Sequence, residues 1–129
     1  MIRLPLLYDA GALIALDHDD VRMWARHRVA IDERRRIHVP TPVVSQAWRD
    51  ARRQVRLGKV LAGCEIEVAD LATAKAAGVL CGRARTSDVV HATVVITAVA
   101  LSAIVWTSDP DDIRTLADTY GRPLTIRTV

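Results

Sequence analysis

Residues 89–105 leave the chain least freedom: the stretch is nearly apolar, and its one ionisable side chain is His91. It falls short of the roughly 20 residues that cross a bilayer, so burial inside a protein core is the remaining solution. A buried helix followed by a buried strand accommodates it. Thr86-Ser87-Asp88 stands at its mouth with the residue types that cap helices, and Ser87 and Asp88 serve that purpose equally well.

Short apolar runs alternate with helical patterns elsewhere. Residues 2–8 form an apolar run that ends at Asp9, as expected of a buried first strand whose carboxyl end delivers an acid. Gly11 then opens a turn or helix. Residues 17–36 are charged, with Val21, Trp24, Ala25, Val29 and Ile31 in a rough helical stripe, and predict a surface helix. Residues 38–40 suit a short strand, after which Thr41-Pro42 starts a helix expected to reach about Leu57. Gly58 and Gly63 punctuate the next stretch. Residues 65–69 read as a strand with Ile66 and Val68 on one face, and Asp70 caps a helix that stops near Gly82. A strand over 103–106, the turn Thr107-Ser108-Asp109-Pro110, a helix over 111–120 halted by Gly121, and a strand over 123–129 complete the chain.

Strands alternating with helices predict one three-layer α/β/α domain over residues 1–129, with a mainly parallel sheet. At 129 residues, half of them apolar, the chain can bury a core of that size. Only 4% of residues are aromatic and none is Phe, so Ala, Val, Leu and Ile fill it, and Trp24 and Trp48 read as core side chains. The net charge of +3 permits a polyanionic partner without requiring one. Cys64 and Cys81 supply neither a zinc ligand set nor a disulfide framework and read as reduced and inert. The apolar N-terminus carries Asp9 in its middle and no small-residue cleavage site, so it does not read as a signal peptide. A cytoplasmic protein without a membrane segment is expected.

Ligands of parallel sheets collect beyond the carboxyl ends of the strands, where both Asp9 and Asp109 are expected. Asp88, heading an apolar helix, is favoured there by the helix dipole but costly to desolvate without a cation. Mg²⁺ and Mn²⁺ are held by a few carboxylate oxygens and several waters, so Asp9, Asp88 and Asp109 on separate elements can define a site for one of them. Such a centre hydrolyses phosphodiester bonds.

The segments YDAGALIAL, PTPVVSQAWR, TSDVVHA and VWTSDPDDI together resemble a PIN domain over nearly the whole chain, and are most similar to the VapC-type toxins of toxin–antitoxin pairs. The resemblance implies an Mg²⁺- or Mn²⁺-dependent ribonuclease that acts on RNA, is neutralised by a cognate antitoxin and forms a homodimer. It places the family's acids on Asp9, Asp88 and Asp109, with Asp112 as an auxiliary and Thr107 and Ser108 in the accompanying turn. Where the family carries a glutamate, this chain has Gln46, which hydrogen-bonds but adds no negative charge. His91 lies one helical turn from Asp88, either bonded within the buried helix or in contact with the site. Neutral imidazole suits zinc better than magnesium, and with Gln46 and His91 together the site is less acidic than the family's, so weak or Mn²⁺-favouring activity is expected.

Arg49, Arg53 and Arg56 recur at i, i+4 and i+7 on the expected second helix, flanked by Arg52 and Lys59. They can follow an RNA backbone, or form a solvated face. A haloacid-dehalogenase-type phosphatase needs an acid two positions after the first, where this chain has Gly11, and a Rossmann binder needs a glycine-rich turn that is absent. The alternative to a nuclease is therefore a PIN-fold module with little or no turnover that binds RNA or an antitoxin.

Overall fold

A computed structural model describes residues 3–129; Ile2, where the first apolar run is expected to start, lies outside the described residues. Strand β1 (Leu6–Tyr8) leads into α1 (Ala10–Asp17) and α2 (Val21–Asp32). Next come β2 (Ile37–Pro40), α3 (Thr41–Ala47), α4 (Val55–Ala62) and β3 (Glu65–Glu67). The chain closes with α5 (Leu71–Ala84), α6 (Val89–Leu101), β4 (Ile104–Thr107), α7 (Pro110–Tyr120) and β5 (Ile126–Thr128).

The strands form a single sheet in the order β3-β2-β1-β4-β5, and every pair is parallel. The expected α/β class and layered architecture are those found. Crossovers between parallel strands are right-handed, so connections running one way along a sheet and connections running back cover opposite faces. In agreement with that rule, α1 packs with α2, α3 and α4, while α5, α6 and α7 pack with one another. The direction reverses between β1 and β4, which are neighbours paired Leu6 to Ile104, Leu7 to Val105 and Tyr8 to Trp106. Their carboxyl ends therefore form the topological switch point of the sheet, where ligands of such folds collect.

β1 is the central strand, and Leu6, Leu7 and Tyr8 are all buried. Helix α6 is helical despite Val89, Val90, Val94, Val95, Ile96 and Val99, whose branched side chains favour strands. Burial overrides that preference: Ala92, Val94, Val95 and Ala98 are fully enclosed, each buried valine contributing about 1.5–3 kcal/mol. The carboxylate of Asp88 starts the helix by accepting the His91 N–H, and Ser102 ends it in the left-handed region at φ 54°. The near-apolar run is thus the expected buried helix and strand. Asp70 caps α5 and Gly121, at φ 77°, ends α7, again as expected.

Several boundaries differ. The helix expected over 42–57 is two helices, α3 and α4, separated by an irregular segment. The break is stable because the buried Gln54 amide makes four bonds there: its Oε1 accepts the N–H groups of Arg49 (2.6 Å) and Asp50 (3.0 Å), and its Nε2 donates to the Ala47 carbonyl (2.8 Å) and Asp17 (3.0 Å). The arginine stripe dissolves with the helix. Arg49 lies after α3 and donates to the Ser45 and Trp48 carbonyls, Arg53 sits in the turn 3.8 Å from Asp50, and only Arg56 is helical, pairing with Asp19 and covering the Trp24 ring. The helix expected over 17–36 is confined to α2, with Asp20 as its cap. β3 ends at Glu67, leaving Val68 beyond it, α5 continues past Gly82 to Ala84, and β5 occupies only the last part of 123–129.

Trp24 and Trp48 pack against the core as expected. Cys64 and Cys81 are free, and burial pushes the Cys64 thiol up to about 11, which suits an inert role. No single helix among the described residues is long and apolar enough to cross a membrane.

Candidate metal centre

Asp9 is 1% exposed, at the carboxyl end of β1. Its Oδ1 accepts the Ala10 N–H at 2.8 Å and so caps α1, while its Oδ2 accepts the Thr107 hydroxyl at 2.7 Å. Burial alone would raise its pKa, but bonds from His91, Thr107 and the Ala10 N–H, with the charge of His91, outweigh that and hold it below the usual carboxylate value. Thr107 is itself fully buried at the end of β4 and accepts the backbone N–H of Asp109 at 2.9 Å. One hydroxyl thereby joins the ends of the two strands at the switch point.

Gly11 permits this approach. A Cβ placed there would stand 2.6 Å from the Cβ and 2.9 Å from the backbone nitrogen of Ser108, so the turn carrying Ser108 and Asp109 packs directly on the first turn of α1. Ser108 fills that contact and makes no side-chain bond with the acids.

The ring of His91 stands among the carboxylates. Its Nε2 lies 3.2 Å from Asp9 Oδ2 and 3.4 Å from Asp109 Oδ2, and its Nδ1 lies 2.6 Å from Asp88 Oδ2 and 4.0 Å from Asp112 Oδ2. The bond with Asp9 raises the imidazole pKa to about 9 against the opposing effect of burial, with the charges of Asp9, Asp88 and Asp109 adding to the rise. A single imidazolium thus offsets part of the repulsion among these acids and leaves the pocket anionic. Although Nδ1 is close to Asp88, the approach lacks hydrogen-bond direction, and this buried nitrogen has no hydrogen-bond partner.

The structure therefore brings Asp9, Asp88, Asp109, Asp112, Thr107 and His91 to one place from distant stretches of chain. Asp88 also fills the helix-cap role, so cap and pocket wall coincide in one side chain: Oδ1 caps α6 and Oδ2 faces His91. Gln46 is exposed on α3 and makes no side-chain bond to the acids. Arg49, Arg53 and Arg56 are outside the cluster. The sequence left open whether His91 served the helix interior or the pocket; the geometry puts it in the pocket. Gln54 escaped the sequence reading, because nothing local distinguishes it from any other glutamine.

The donors fit a divalent ion. Ligand atoms of Asp9, His91 and Asp109 lie within 4.8 Å of one another, as do those of Asp88, His91 and Asp112. The surplus negative charge is what a bound cation would satisfy, and the imidazole ring offers one nitrogen to each half of the cluster. A groove of about 510 Å³ between α2 and strands β4 and β5, lined by Val29, Trp106, Arg26 and Arg127, has none of these acids in its wall.

An acidic pocket at the switch point of a parallel sheet defines an α/β/α domain with a candidate metal centre. No protein-family model and no curated protein matches the chain by sequence. Among solved structures, it is similar to a chain in the complex of VapBC2 from Rickettsia felis with a DNA fragment from its promoter, with a TM-score of 0.71 at 12% identity, covering 97% of this chain and 98% of that one. It is likewise similar to a chain of DNA-bound VapBC from Salmonella typhimurium, with a TM-score of 0.67 at 12% identity, covering 98% of each. The fold is theirs, and it is the fold that the PIN-domain resemblance implied.

Proposed function

We propose that this chain is a metal-dependent endoribonuclease of the VapC toxin kind, acting on RNA in the cytoplasm, neutralised by a cognate antitoxin and assembling as a homodimer. The observation that carries the reading is the convergence of Asp9, Asp88 and Asp109 on one pocket at the ends of adjacent strands. Mg²⁺ or Mn²⁺ is the proposed cofactor. Bound among these acids, it supplies Lewis acidity toward a phosphodiester oxygen and makes a neighbouring water more acidic.

The chain's own residues prepare the pocket. Thr107 and the Ala10 N–H fix the two oxygens of Asp9, so this buried carboxylate is oriented before any ligand arrives. Asp109, with 52% of its side chain exposed, and Asp112, with 69%, stand at the solvent side, where a phosphodiester can approach. Among the proposed RNA contacts, Arg53 has 88% of its side chain exposed and is only loosely held by Asp50; Arg49 and Arg56 already have partners, which RNA phosphates would have to displace.

The test is cleavage of RNA by the purified chain with Mg²⁺ or Mn²⁺, against the same protein in chelator and against Asp9→Asn and Asp88→Asn. Ion-dependent cleavage by the parent, lost in both variants, is expected. Equal cleavage by all three proteins would mark a contaminating nuclease and end the proposal. The second reading, a PIN-fold module that binds RNA or an antitoxin with little turnover, is favoured by Gln46 and by the imidazolium among the acids. It predicts ion-dependent RNA binding without cleavage.

A further inference from the structure

A histidine inside the acid cluster changes which ion the cluster suits. Its ring is nine-tenths buried, fixed one turn into α6, and presents one nitrogen to each half of the cluster. Nε2 faces Asp9 and Asp109, whose oxygens lie close enough to share one ion with it. Nδ1 has no hydrogen-bond partner, though Asp88 Oδ2 lies 2.6 Å away. Ligating histidines commonly direct their second nitrogen at a carboxylate that fixes tautomer and ring orientation; Asp88 is the carboxylate nearest Nδ1, within reach of that bond though not aligned for it here. Asp88 is also tied to the same turn of helix, since its other oxygen holds the His91 backbone N–H at 3.1 Å.

We propose that His91 Nε2 is itself a metal ligand, completing with Asp9 and Asp109 a set of one nitrogen and two carboxylates, with Asp88 as the positioning residue behind the ring. The centre then favours a borderline transition ion such as Mn²⁺, Co²⁺ or Zn²⁺ over Mg²⁺, beyond the preference an all-carboxylate site would show. Magnesium is a hard ion that takes oxygen donors and keeps its water, whereas imidazole suits the first-row transition ions. This assignment rests on the metal-centre part of the proposed function and does not depend on cleavage.

The deciding measurement is the ¹⁵N spectrum of the histidine side chains in the full chain, titrated with Zn²⁺ and, separately, with Mg²⁺. Zinc should displace the proton from Nε2 of His91 and move that resonance, while Nδ1 keeps its proton. An unmoved His91 spectrum at saturating zinc, or a metal shift at Nδ1, overturns the assignment. A parallel titration compares the ratio of zinc to magnesium affinity in the parent and in His91→Asp, whose folding is checked by its melting curve. The ratio should fall about tenfold or more in the variant, the scale on which conserved partners of metal sites act; an unchanged ratio counts against the nitrogen ligand. Zinc binding through His91 in a protein that cleaves no RNA with Mg²⁺ or Mn²⁺ would sink the nuclease reading and leave this one standing. Cleavage with a silent His91 would do the reverse.

Discussion

Thr107 donates its hydroxyl to Asp9 Oδ2 at 2.7 Å across the join of β4 and β1, and both side chains are buried. The same hydroxyl oxygen accepts the N–H of Asp109, so the backbone of one acid and the side chain of the other are set by a single atom. Thr107→Val keeps the shape and removes both bonds. A buried hydrogen bond to a charged group contributes about 1.5–3 kcal/mol, and a loss of that size is expected in urea denaturation, with Mn²⁺ affinity reduced about tenfold or more. Thr107→Ser should restore most of both, because the hydroxyl is retained. Normal metal affinity in the valine variant would show that Asp9 needs no such support.

Asp109 has the opposite balance. Half of its side chain is exposed, and it stands near other acids that only one imidazolium offsets. Asp109→Asn should therefore leave the melting temperature of the metal-free protein unchanged or slightly raised, a change within about 0.5 kcal/mol, while weakening Mn²⁺ binding and abolishing ion-dependent cleavage. A marked loss of stability without metal would mean that Asp109 serves the fold instead of the pocket.

His27 gives a pH dependence away from the acids. The ring is buried beside Trp24, and its Nδ1 lies 2.8 Å from the Tyr8 hydroxyl, which donates to it when the ring is neutral with its proton on Nε2. Burial lowers the His27 pKa from the ordinary 6.5, so the folded protein binds this proton less readily than the unfolded chain. Its contribution to stability is present above pH 6.5 and is lost as the pH falls through the lower folded value. His27→Gln, which can still accept from Tyr8, should flatten the acid side of the melting-temperature profile relative to the parent. An identical slope below pH 6.5 in the two proteins would exclude His27 as the source.

Gln54 is the keystone of the break between α3 and α4. Gln54→Leu leaves the N–H groups of Arg49 and Asp50 and the Ala47 carbonyl without their partner. A destabilisation of about 2–4 kcal/mol is expected, since each unsatisfied buried group costs about 1–3 kcal/mol and part of the loop can reach water. Trypsin should then cut faster after the exposed Arg52 and Arg53 than in the parent, before the rest of the chain is attacked. Unchanged cleavage at those sites would show that the loop is held by other contacts.

Local signals account for much of what could be read in advance. Asp70, Asp88 and Gly121 mark helix ends through their own backbone chemistry, and the run ending at Asp9 marks a strand by composition alone. The segment 48–54 could not be read that way. Its polar residues are compatible with a helix surface, and what breaks the helix is a side chain that reaches back to Ala47 and across to Asp17.

The alternation of strands and helices, the burial of α6 and the presence of acids at the ends of strands were already written in the residues, because periodicity, capping and apolar run length act over a few positions. It took the folded chain to set β1 beside β4, to bring Thr107 against Asp9, and to stand the His91 ring between Asp88 and the other two acids. Sheet order and helix docking are set by contacts between residues far apart in the chain, so the charge balance of the pocket exists only once the whole core has closed around it.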